Sequence, residues 1–398
     1  MKLIPTTAIA AGFALASCNA QAPSTSWRTE LETNGLAAAE AAISAGPQSP
    51  ETEFVRGALQ SLQAIEAVMQ VAYRNTTEPL PIFPGMGIDV PVHEHAAFDP
   101  AFLENAMTGA LSHLSRAEAT LGSVAGEEFA VEIDLSSLWF DINDNGTRED
   151  FEHGRAYLDD FADDEPDGET ASDMIVRFDT ADAYWLKAYV HALSGTAELI
   201  LSVDPTPAIE TVYEGRKMMQ AAGSPSRLFI EDEQLDALVA TILALRGVPD
   251  AERTRAAHDH FRAMIAENQN FWTAVMAETD DDHEWVPNPD QVSAFGVPVS
   301  AEMAEQWQTV LTEVEDILEG RTLLPTWRFD NGFDAEEGVG LNIAKFLEEP
   351  GDLDIILLIH GAGLAPYLET GPLARGEAWR QFSRMSGTND MLFAFWLN

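Results

Sequence analysis

Residues 141–152 read Asp141-Ile142-Asn143-Asp144-Asn145-Gly146-Thr147-Arg148-Glu149-Asp150-Phe151-Glu152, with an oxygen-bearing side chain at alternate positions and a carboxylate at the end. A hard divalent cation needs this spacing, because a twelve-residue loop offers it ligands from positions 1, 3, 5, 7, 9 and 12. Asp141, Asn143 and Asn145 supply side-chain oxygens, and the Thr147 carbonyl faces the ion. Glu149 acts directly or through water, and Glu152 closes the site with both oxygens. Gly146 takes the sharp turn that a Cβ would strain. The expected ion is Ca2+. Two neutral amides among the early ligands lower the ligand charge, which places Kd in the weak extracellular range, on the order of 10⁻⁴–10⁻³ M. Arg148 stands where paired loops of this kind place an apolar residue, so the site is expected to be solitary, without the helix-opening motion of calcium sensors. The plainer alternative is a solvated turn rich in Asp and Asn.

Other groupings point less sharply to chemistry. Asp280-Asp281-Asp282-His283-Glu284 offers four carboxylates and an imidazole to a second cation, or a solvated acidic loop. Asp179 and Asp182 precede Trp185 and Tyr189, and Asp182, Trp185 and Tyr189 share a helical face: a polar site on a buried helix, or a core helix whose polar groups are paired. His93 and His95, like His258 and His260, are two residues apart, whereas zinc motifs on helices use three or four. Ile355-Ile356-Leu357-Leu358-Ile359-His360-Gly361 looks like the strand and oxyanion loop of an α/β-hydrolase. The chain has no Gly-x-Ser-x-Gly elbow, however, and this segment lies too near the C-terminus for that fold; a buried apolar segment ended by glycine is expected instead.

The N-terminus has the layout of an export signal: Lys2, an apolar run from Ile9 to Ala16, then Leu15-Ala16-Ser17-Cys18, which looks like the lipobox of bacterial lipoproteins. Residues 1–17 are expected to be removed and Cys18, the sole cysteine, to carry the lipid. Residues 18–26, small and polar with Pro23, form a flexible tether. By resemblance to sorted lipoproteins, Asn19 favours the outer membrane over the inner. The expected location is the cell envelope, with the membrane as partner through the lipid.

Asp and Glu total 66 against 22 Lys and Arg, a net charge of −44, while 46% of residues are apolar. A core is therefore expected beneath an acidic shell. Nucleic acid is a poor partner for such a surface, since binding it requires a basic patch that releases counterions.

The elements that must position these residues are mostly helices. Phe54, Ala58, Leu62, Ile65, Met69 and Ala72 fall on one face after Ser49-Pro50-Glu51, predicting a helix over 50–74. Met303, Trp307, Val310, Val314 and Ile317 predict another between Ser300 and Gly320. Further helical patterns cover 27–45, 100–121, 149–162, 173–203, 226–246, 251–277 and 376–385. Phe129 to Phe140 alternates in part and predicts a short strand. The expectation is a mainly α single domain over 27–398. It is a multi-helix array of paired helices, with a short strand leading into one EF-hand-like loop at 141–152.

The loop, followed by Phe178-Asp179-x-x-Asp182-x-x-Trp185, resembles a family of bacterial secreted lipoproteins of uncharacterised activity. Glu278-Thr279-Asp280 with Glu284-Trp285-Val286-Pro287, Leu324-Pro325-Thr326-Trp327-Arg328 and Ala365-Pro366-Tyr367-Leu368-Glu369 extend the resemblance over most of the chain. It implies calcium binding and folding as one unit, and no reaction. The function expected is that of a calcium-stapled lipoprotein binding a protein or small-molecule ligand between helix pairs. The alternatives are a metal-assisted hydrolase using Asp280, Asp282, His283 and Glu284 or Asp179 and Asp182, and a passive structural lipoprotein.

Overall fold

The computed structural model describes residues 26–75, 97–153, 174–223, 232–294, 296, 298–329, 335–386 and 396–397. Cys18, most of the tether, His93 and His95 lie outside them, as does most of the helix expected over 149–162.

The molecule is mainly helical. The pattern over 27–45 resolves into α1 (Trp27–Asn34) and α2 (Leu36–Ala45). They break at Gly35, whose φ of +84° is unfavourable for other residues and whose Cα faces the indole of Trp139. Helix α3 (Pro50–Asn75) follows the periodicity, burying Phe54, Ile65, Met69 and Ala72. It packs along α4 (Phe102–Gly122). At Gly57 the two run so close that a Cβ would stand 2.6 Å from the Leu121 side chain.

Strand β1 (Ala130–Asp134) pairs antiparallel with β2 (Ile175–Asp179), placing Val131 opposite Phe178. The helical pattern over 173–203 thus begins with a strand: Ile175, Val176 and Phe178 suit a pleated, half-buried surface, and β1 supplies the partner that local periodicity does not reveal. The chain then turns at once into α5 (Thr180–Ser202). This helix packs between α4 and α8 (Ala251–Val275). Here the close approach is at Gly195, where a Cβ would stand 2.8 Å from Phe261.

Between α5 and α8 lie α6 (Thr206–Ala221) and α7 (Asp232–Ala244), packed on each other, and the two-residue strand β3 (Arg246–Gly247). The periodicity does not predict α6, a mostly exposed helix in which Ala208 is the buried residue. Helix α9 (Ala301–Leu318) is capped as expected by Ser300, whose hydroxyl accepts from Met303 N–H at 3.1 Å. A small antiparallel sheet follows, of β4 (Leu324–Pro325), β5 (Glu337–Leu341) and β7 (Leu368–Pro372) in the order β4-β5-β7. Helix α10 (Ile343–Glu348), strand β6 (Leu353–Asp354) and helix α11 (Ile355–His360) lie between β5 and β7; α12 (Glu377–Ser386) packs on α9.

The segment expected to be buried around Ile355–Ile359 is a correction. Ile356 is 65% and Ile359 66% exposed on α11. Asp354 caps that helix, Gly361 ends it in the left-handed region, and β6 pairs with β3, so the run is held by its ends rather than by a facing core.

Buried apolar side chains form two clusters. One joins α1–α5 with the β1–β2 hairpin, the other joins the C-terminal part of α8 with α9, α10 and α12, and Trp185 and Trp285 pack against both. Among the described residues no helix is long and apolar enough to cross a membrane.

Candidate functional site

The loop at 141–152 is closed at its base by an antiparallel bridge between Trp139 and His153 and by Phe140 N–H donating to the Glu152 carbonyl at 3.0 Å. Inside it the polar side chains organise the backbone. The Asp141 carboxylate accepts from Asn145 N–H at 3.0 Å and Gly146 N–H at 2.9 Å. The Asn143 side-chain oxygen accepts from Asn145 N–H at 3.1 Å, and that of Asn145 from Thr147 N–H at 2.7 Å. Glu149 accepts from the side-chain amides of Asn143 (3.1 Å) and Asn145 (3.2 Å). Glu152 is fully buried, with Ile142 N–H at 2.9 Å on one oxygen and Glu149 N–H at 2.9 Å on the other. Asp144 and Gly146 take positive φ, +59° and +70°. Asp150–Glu152 is a single 3-10 turn rather than the first turn of an α-helix, and a 3-10 turn at Leu135–Ser137 separates β1 from the loop.

Helix α3 completes the surroundings. The Gln70 amide donates to the Asp141 carbonyl at 2.8 Å, and Glu66 accepts from Asp141 N–H at 2.9 Å. Burial first, and then the charges of Asp141, Glu152 and Asp144, push the Glu66 carboxyl up to about 7. Glu152 is also raised, chiefly by burial. Among the described residues, Arg74 forms an ion pair here, 3.8 Å from Asp144. Neither Glu66 nor Gln70 belongs to any spacing pattern with the loop; only the docking of α3 brings them there.

A second acidic group forms where β2 turns into α5. Asp179 caps α5 by accepting from Ala181 N–H at 2.9 Å, and Asp182 reaches back to accept from Asp179 N–H at 2.8 Å. The loop after α8 docks on β2 by Arg177 N–H donating to the His283 carbonyl at 3.0 Å. This brings the oxygens of Asp179, Glu278 and Glu284 within 4.8 Å of one another. The Arg177 guanidinium lies 3.0 Å from Asp280, 3.4 Å from Asp179 and 4.0 Å from Glu284. Burial pushes Glu278 up to about 8 and Asp182 well above the carboxylate range, with Asp179 adding to both. The Gln291 amide donates to Glu278 at 3.1 Å. Asp179, Asp182, Asp280 and Glu284 are therefore gathered, while Asp282 and His283 are exposed. Glu278 joins a group in which sequence spacing gives it no place.

Between α3, α5 and the β1–β2 hairpin lies an apolar cavity of about 220 Å³. Phe54, Ala58, Leu62, Phe178, Tyr189 and Leu193 line it, with Trp27, Trp185, Trp285 and Trp396 around them. The tryptophans are interlocked. Trp185 meets Trp285 edge-on at 5.4 Å and stacks on Tyr189 at 5.6 Å, and its indole N–H donates to the Trp396 carbonyl at 2.9 Å. The hydroxyl of Ser61, also in the wall, is satisfied by the Gly57 carbonyl at 2.9 Å. The cavity and the acidic group share elements: Phe178 and Trp285 line the one, and Asp179 and Glu284, their chain neighbours, build the other.

Comparison of the chain with protein-family models, curated proteins and solved structures returned no match. The functional reading rests on this geometry.

Proposed function

We propose that the protein is an exported, lipid-anchored binding protein of the cell envelope that holds a small apolar ligand between α3, α5 and the β1–β2 hairpin. One Ca2+ in the EF-hand-like loop at 141–152 would hold that loop against α3. The cavity carries the reading: its volume of about 220 Å³ exceeds the roughly 150 Å³ in which an apolar site accepts a benzene ring, and its wall is rigid aromatic surface. The calcium reading is supported by the alternating turns of Asp141, Asn143 and Asn145, whose oxygens keep lone pairs for an ion. The convergence of the Glu66, Asp141 and Glu152 carboxyls, in which the charge of Asp141 helps push Glu66 and Glu152 up, supports it too. Helix α3 couples the two sites, since Leu62 and Ile65 face the cavity and Glu66 and Gln70 touch the loop.

The metal-assisted hydrolase is the weaker reading, because Asp282 and His283 are exposed and leave the gathered carboxylates without that imidazole.

The test uses a neutral apolar fluorophore, N-phenyl-1-naphthylamine. A saturable fluorescence gain with one equivalent bound is expected, weakened at least tenfold by Ala58→Phe, which fills the cavity from a half-buried wall position. Binding that does not saturate, or that survives Ala58→Phe unchanged in a folded variant, would overturn the reading.

A further inference from the structure

Three helices packed side by side each direct one metal-binding side chain to a common point outside the loop and the cavity. Glu118 lies on α4, His191 on α5 and His260 on α8, with ligand atoms all within 4.8 Å of one another. The two Nδ1 atoms are 3.0 Å apart, with ring centroids at 5.3 Å and planes inclined by 44°. His191 is buried, only 6% exposed, while Glu118 and His260 are half-buried. Spacing within the chain cannot reveal this group: the histidines are 69 residues apart, and His260 pairs with His191 rather than with its neighbour His258, whose Nε2 meets the Leu318 carbonyl at 2.7 Å.

We infer that Glu118, His191 and His260 form a binding site for a divalent transition-metal ion of the Zn2+ class. Two imidazoles and one carboxylate are the donor set such ions take, and imidazole selects them over Ca2+ and Mg2+. Donors about 2.0–2.1 Å from a tetrahedral ion stand about 3.3–3.4 Å apart, so the nitrogens need part by only a few tenths of an ångström. The approach is built into the helices, because Gly195, one turn after His191, lets α5 close on Phe261, the residue after His260. The nearby positive charge of Lys187 is paired with Glu267 of α8, which leaves the negative charge of Glu118 to face the ion. Water completes the coordination from the half-exposed side. The ion would tie α4, α5 and α8 together, a role independent of the apolar ligand and of the calcium loop.

The experiment titrates the chelator-stripped full chain with Co2+ in excess Ca2+, which fills the 141–152 loop and screens the acidic surface. One equivalent is expected, with the visible absorption of tetrahedral Co2+, displaced stoichiometrically by Zn2+. His260→Gln and Glu118→Gln, both at half-buried positions, should each weaken Zn2+ at least tenfold, whereas Asp141→Ala should leave it unchanged. Absence of the visible band, or unaltered Zn2+ affinity in both folded variants, overturns the assignment, as does loss of the band in Asp141→Ala.

Discussion

At the scale of single residues, the buried carboxylates set how stability responds to pH. Glu278 is pushed up to about 8 and Glu66 to about 7, from an ordinary 4.5. A raised carboxyl pKa means the folded chain keeps a proton that the unfolded chain has released. Their contribution to stability is therefore intact below pH 4.5 and is lost as pH rises from 4.5 toward 7 for Glu66 and toward 8 for Glu278. Glu278→Gln, which mimics the protonated carboxyl, should raise the thermal midpoint at pH 8 by roughly 1 °C, the equivalent of about 1 kcal/mol in a chain of this length, and change it little at pH 5. Thermal unfolding at both pH values checks this. A fall at pH 8 would instead mean that the charged form is compensated by a cation held with Asp179 and Glu284.

At the scale of elements, the loop at 141–152 is a lever between the hairpin and α3. Its ends are joined through Trp139, Phe140, Glu152 and His153, and Glu66 and Gln70 hold Asp141 against the helix. An ion bound to the folded loop alone stabilises by RT ln(1 + [L]/Kd), about 1.4 kcal/mol at ten times Kd. Millimolar Ca2+ should therefore raise the unfolding midpoint by roughly 1–2 °C relative to chelator, and Asp141→Ala should abolish the rise. A calcium response retained by Asp141→Ala would move the ion elsewhere, with the acidic group around Arg177 the next place to look. The neighbouring elements show how much of this was legible. The oxygen spacing of the loop is local and reads directly from the chain. That β2 is a strand, by contrast, depends on β1, more than forty residues earlier, and α11 shows that an apolar run becomes core only when another element faces it.

For the whole molecule, two apolar clusters meet at Trp185 and Trp285, and the cavity opens beside that junction. The net charge of −44 surrounds this interior with an acidic shell that repels anionic lipid head groups, so the proposed attachment rests on Cys18. Cys18→Ser should leave the protein unlipidated and free of the membrane fraction. Fractionation and mass spectrometry of the mature N-terminus check it, and retention of the variant in the membrane would sink the lipid-anchor reading.

The amino-acid sequence determined by itself what depends on neighbours along the chain. The periodicity of α3 and α9, the Ser300 cap and the spacing of side-chain oxygens from Asp141 to Glu152 all lie within a few turns of backbone, where geometry is set locally. The tertiary structure alone decided what depends on separate elements meeting. It brought Glu66 to the loop, Glu278 to Asp179, the tryptophans around the cavity, and Glu118 to His191 and His260. The approach of His191 to His260 follows from helix packing at Gly195, where the missing Cβ lets two backbones close, and no periodicity within either helix specifies which partner it will meet.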